Sequence, residues 1–191
     1  MIEKLRKYSW SILLFSIFII PLSFNLLLSD PFKHFQLALF EIVTVFIFTP
    51  ELIYLLKTNN IWTMKSPLLP SLSLFLFCII ISIGNSINYK ISLRHDLEYL
   101  TWIIFILILN QFITEHIKLK QILILVLVSS GISAIYGILQ KVGIEFISWQ
   151  FNFQNRSFAN FGNPNFLAGQ LILTLPISIA YFVDETNRFK K

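Results

Sequence analysis

Six apolar blocks follow one another along the chain, with short polar gaps between them. They run over 9–28, 36–56, 68–87, 97–114, 119–140 and 165–183. A helix that crosses a bilayer needs about 20 apolar residues, and each block is close to that length. Strands of a membrane barrel would instead alternate apolar and polar positions over about 10 residues. Stretches such as 12–22 and 122–127 do not alternate. The pattern predicts an all-α, polytopic integral membrane protein of about six transmembrane helices, in a single helical domain over 1–191.

Composition agrees with the pattern. Apolar residues make up 55% of the chain, charged residues 13%, and mean hydropathy is +0.72. A soluble domain carries about 25% charged residues, and disorder requires low hydrophobicity with high charge, so both classes are excluded. The net charge of +5 reads as topology. With the N-terminus inside, the inner segments carry Lys4, Arg6, Lys7, Lys57, Lys65, Lys118, Lys120, Arg188, Lys190 and Lys191. The outer segments carry Lys33, Lys90, Arg94, Lys141 and Arg156. This 10:5 split follows the positive-inside rule, so both termini are expected in the cytoplasm. No cluster of basic and aromatic residues in a soluble module points to a nucleic-acid partner.

The first block follows Lys4, Arg6 and Lys7 as a signal peptide would, but it has no small-x-small cleavage site. It reads as an uncleaved span. Cys78, the single cysteine, reads as a small buried hydrophobe. His34, His95 and His116 share no helical face, and no HExxH or CxxC spacing occurs. Neither a metal nor a cofactor is expected.

Polar residues inside or beside the blocks are the candidates for chemistry. Glu41 and Glu51 fall within the second block, where an ionisable group is costly. Each can snorkel, pair with a neighbouring helix or serve a site. Arg94, His95, Asp96 and Glu98 form a charged rim before the fourth block. The gap before the last block is richer. From Trp149 to Gln154 aromatic and polar residues alternate, which suggests a short extended segment whose rings lie at the headgroup belt. Then come Arg156 and the run Gly162, Asn163, Pro164, Asn165. Asn163 can cap a helix whose first residue is Pro164. Free N–H groups and the positive end of the dipole favour an anion there, and Arg156 can fold back to clamp a phosphate. Ala168 and Gly169 would let a partner helix or a lipid tail come close. Plain capping explains Asn163 and Pro164 equally well.

The run RSFANFGNPNFLAGQLILTLP over 156–176 resembles the signature of the O-antigen ligase and polymerase superfamily of bacterial surface-polysaccharide assembly. Three further pieces are similar to parts of that family: IYGILQKVG over 135–143, DPFKHFQLAL over 30–39, and the approach over 92–99. The resemblance covers most of 30–183, and 156–176 is its specific part. It implies a multi-pass protein of the bacterial cytoplasmic (inner) membrane that transfers glycan from an undecaprenyl-pyrophosphate donor without a metal. Arg156 would bind the donor pyrophosphate, Asn163 and Asn165 would shape the helix start, and Arg94 would add charge near the same face.

The family's later large loop, which in the ligases carries an essential histidine, has no counterpart before Lys191. The chain is therefore expected to supply the donor-side half, with no catalytic residue of its own and a C-terminal half encoded downstream. The expected partners are the lipid-linked glycan and membrane lipids. The alternatives are a transporter or channel, motivated by Glu41 and Glu51, and a non-catalytic membrane subunit.

Overall fold

Helices take up most of the chain: α1 (Ile2–Ile19), α2 (Lys33–Thr58), α3 (Leu69–Gly84), α4 (Tyr89–Phe112), α5 (His116–Lys141) and α6 (Pro164–Phe189). The computed structural model describes residues 2–28, 30–58, 67–113, 116–147, 149 and 156–189. The fold of the described residues is all-α. Four helices contain stretches long and apolar enough to cross a membrane: Leu5–Leu22, Lys33–Lys57, His116–Lys141 and Pro164–Asp184.

The other two expected spans fall short of that standard for different reasons. α3 is apolar throughout but has 16 residues, about 24 Å of helix against a hydrocarbon core of about 30 Å. α4 has 24 residues but begins well before position 97, because Asn88 caps it by accepting a hydrogen bond from the Ile91 N–H at 3.4 Å. Arg94, His95, Asp96 and Glu98 therefore lie on the helix. With Asn110 and Gln111 at its other end, they leave only a short apolar run between them.

The first block also ends early, in a short 3-10 turn over Ile20–Leu22 rather than at position 28. Pro21 has no N–H to continue a helix. Just beyond it, the Ser23 N–H and hydroxyl both donate to the Ile20 carbonyl, at 3.1 and 2.7 Å. The Asn25 N–H then reaches the Pro31 carbonyl at 2.8 Å, and Leu26, Leu27 and Leu28 are left exposed. By contrast, α2 and α6 run on through Pro50 and Pro176.

The chain divides into two compact units. One comprises Met1–Leu13 and Glu41–Lys118. Its buried side chains include Ser9 and Leu13 from α1, Thr44, Ile47 and Glu51 from α2, and Ile103, Ile108 and Phe112 from α4. Glu51 is 2% exposed and pairs with Arg6 at 3.3 Å. The Arg6 guanidinium also lies over the rings of Tyr54 and Phe112, at 4.6 and 5.4 Å from their centroids. Of the three readings of Glu51, pairing with a neighbouring helix is the one realised. Cys78 is exposed on α3 rather than buried. An apolar helix face in a membrane has lipid for a solvent and need not be covered by protein.

The second unit comprises Leu14–Phe40 and Leu119–Lys191. Small residues let α5 and α6 approach closely. A methyl group at Gly137 would stand 3.1 Å from Leu167 Cδ2, and the Gln170 side-chain amide donates to the Ser130 hydroxyl at 2.9 Å. Ser129, Ser130 and Ser133 are buried on α5, as is Thr174 on α6. Within this unit the close approach of α5 to α6 is made at Gly137. Among the described residues, nothing would lie within 4 Å of a methyl group at Gly169, and Ala168 is exposed.

Candidate functional site

At one end of the second unit, α5 stops and α6 starts, and the hydrogen bonds there account for most of the notable residues in the gap. α5 ends at Lys141, and the chain turns off it through Gly143, whose φ of +83° suits the left-handed residue that follows a helix C-cap. The Ile144 N–H bonds to the Leu139 carbonyl at 2.9 Å and the Gly143 N–H to the Gln140 carbonyl at 3.1 Å. This turn brings Glu145 back along the helix, where Tyr136 and Gln140, four residues apart, share a face. The Tyr136 hydroxyl donates to Glu145 Oε1, and the Gln140 amide donates to Glu145 Oε2 at 2.9 Å.

The other end of the Gln140 amide holds the approach to α6. Its Oε1 accepts from the Phe158 and Ala159 N–H groups, at 3.1 and 2.7 Å. Ala159 takes a φ of +46°, and the Phe161 N–H closes the turn on the Phe158 carbonyl at 3.0 Å. Asn160, 4% exposed, donates through its side chain to the Pro21 carbonyl. The Gln36 side-chain amide donates to the Ser23 carbonyl at 2.9 Å and reaches the Asn160 carbonyl at 3.5 Å. Gly162 has a φ of +68°, and a methyl group there would lie 2.2 Å from Phe32 Cδ2. Phe32 packs with Phe24, Trp149 and Phe158, at centroid separations of 5.1 to 6.3 Å. Asp30 fixes the start of α2 by accepting from the Phe32 and Lys33 N–H groups at 3.1 and 3.0 Å.

α6 begins as its sequence suggests. Asn163 Oδ1 accepts from the Asn165 N–H at 2.8 Å, and Pro164 is the first helical residue. The N–H groups expected to be free for an anion are nevertheless taken. Pro164 has none, and the Phe166 and Leu167 N–H groups both bond to the Asn163 carbonyl, at 3.1 and 3.2 Å. What faces outward is the side chains. Arg156 is exposed, and its Nη2 donates to Asn165 Oδ1 at 3.3 Å. Among the described residues this is the one hydrogen bond of the guanidinium, so most of its donors are available to an anionic group. The dipole of α6 adds a partial positive charge at the same place.

Three of the four sequence-derived site residues, Arg156, Asn163 and Asn165, therefore come together. Arg94 belongs to α4, in the other unit. There it is 72% exposed and lies 4.0 Å from Glu98, which His95 Nδ1 also approaches at 3.3 Å. His34 and His116 are exposed. The alternating segment expected over 149–154 lies outside the described residues except for Trp149. Sequence reading passed over Tyr136, Gln36 and Glu145. The visible signals were a four-residue spacing of polar side chains and a carboxylate just beyond a helix-ending glycine.

The chain matches no protein-family model, no curated protein and no solved structure.

Proposed function

We propose that this chain binds the undecaprenyl-pyrophosphate end of a lipid-linked glycan. It would do so as the donor-side part of a glycosyltransferase of the O-antigen ligase and polymerase kind, in a bacterial inner membrane. One observation carries the reading. Three of the four pieces that resemble that superfamily, over 30–39, 135–143 and 156–176, belong to one unit and meet where α6 begins. Asp30, Phe32, Gln36, Gln140 and Asn160 in them are engaged in holding the loop and helix ends together, whereas the guanidinium of Arg156 faces outward with a single hydrogen bond among the described residues, to Asn165. An exposed arginine beside a helix start suits a phosphate, which it can hold through two parallel N–H donors. On this reading α3 and α4 complete six crossings, both termini are cytoplasmic, and the site opens to the outer face. The 10:5 split of basic residues supports that orientation.

Binding of bare undecaprenyl pyrophosphate to the protein in lipid nanodiscs tests this. A charge-assisted contact contributes about 1.5–3 kcal/mol, so Arg156→Ala is expected to weaken binding by about tenfold or more. Arg156→Lys, which keeps the charge and loses the fork, should fall between the two. Equal affinity of wild type and Arg156→Ala would overturn the proposal.

A further inference from the structure

A carboxylate that is both exposed and rigidly held needs a reason. Glu145 is exposed, yet each of its oxygens accepts a hydrogen bond from α5, one from Tyr136 and one from Gln140. Hydrogen bonds in so exposed a place add little to stability. They do fix the direction of the carboxylate, and each oxygen keeps a further lone pair for a ligand. Beside it, the rings of Tyr136 and Phe146 stack at 6.4 Å with an interplanar angle of 28°, and Phe146 is 71% exposed. The Trp149 indole N–H, at 3.3 Å, donates to the Tyr136 hydroxyl, which leaves that hydroxyl's own proton for Glu145.

An oriented carboxylate next to an exposed ring is the chemistry that recognises a sugar. The carboxylate accepts from ring hydroxyls, while the aromatic surface covers the apolar C–H face. The position fits the same ligand. The Gln140 amide that holds Glu145 also holds the Phe158 N–H, and Phe158 is two residues from Arg156, at most about 7 Å of chain. We infer that Glu145, with the stacked rings of Tyr136 and Phe146, forms the subsite for the sugar carried by the ligand whose pyrophosphate Arg156 binds. This rests on the reading of Arg156 given above.

The test compares two probes on the protein in nanodiscs. One is bare undecaprenyl pyrophosphate, and the other is the lipid-linked glycan pool extracted from the source organism's own membranes. Wild type is expected to bind the glycan-bearing lipid more tightly. Glu145→Ala and the more conservative Glu145→Gln should weaken binding of the glycan-bearing lipid by about tenfold, while affinity for the bare lipid changes less than about twofold. Should Glu145→Ala fail to fold, Glu145→Gln carries the comparison. Tyr136→Phe, which keeps the ring and frees the carboxylate, should give a partial loss of the same kind.

Three results would overturn the inference: no preference of wild type for the glycan-bearing lipid, wild-type affinity for both probes in the Glu145 variants, or an equal loss for both probes. The last would make Glu145 a clip for its loop. All three leave Arg156 as the anion site. That reading fails separately, if Arg156→Ala binds the bare lipid as wild type does.

Discussion

Gly162 carries two constraints that no other residue type meets together. Its φ of +68° is left-handed, and the space a side chain would need is filled by the Phe32 ring, 2.2 Å from the methyl position. The left-handed conformation alone costs a residue with a Cβ about 1–2 kcal/mol. Phe32 cannot yield freely, because it is wedged among Phe24, Trp149 and Phe158. Gly162→Ala is expected to lower stability by about 2–4 kcal/mol once the displaced ring is included. A thermal unfolding curve of the purified protein in detergent measures it, and an unchanged midpoint would mean that the ring has room to move. Gly137 differs in kind, since a methyl group there is crowded by the flexible end of Leu167, at 3.1 Å, and meets Ser157 and Ala159 at ordinary contact, 3.8 and 3.9 Å.

Between elements, the contact that matters most in the first unit joins α1 to α2 through Arg6 and Glu51. Glu51 is 2% exposed and the Arg6 side chain 33%, so removal of the arginine strands a carboxylate with little water to turn to. Arg6→Ala should cost on the order of 3 kcal/mol. The double variant Arg6→Leu with Glu51→Leu should recover most of that, because an apolar pair needs no partner. The same unfolding measurement decides, and wild-type stability of Arg6→Ala alone would show the pair to be idle. This pairing also marks how far sequence reading reached. The cap at Asn163 and the start of α6 are local, within three residues, and were legible, whereas the equally local cap at Asp30 was not read. The partner of Glu51 lies 45 residues away and that of Asn160 139 residues away, while Gln36 reaches one carbonyl 13 residues away and another 124 away. No periodicity encodes such distances. The early end of α1 was missed for a related reason: Leu26, Leu27 and Leu28 read as span, while Pro21 and the carbonyl partners that turn the chain back at that point outweighed their hydropathy.

For the molecule as a whole, the second unit concentrates what is chemically distinctive. Its α5–α6 pair supplies two helices able to cross a membrane, and one end of it gathers Arg156, Asn163, Asn165 and Glu145. The first unit, with the charged half of α4 and the Arg6–Glu51 pair, reads as support on this account. The most direct test is photocrosslinking with an undecaprenyl pyrophosphate analogue that carries a diazirine beside the pyrophosphate, followed by peptide mapping of the adducts. Adducts within 156–169 that are lost in Arg156→Ala are the predicted result. Adducts confined to α1–α4, or unaffected by the substitution, would contradict it.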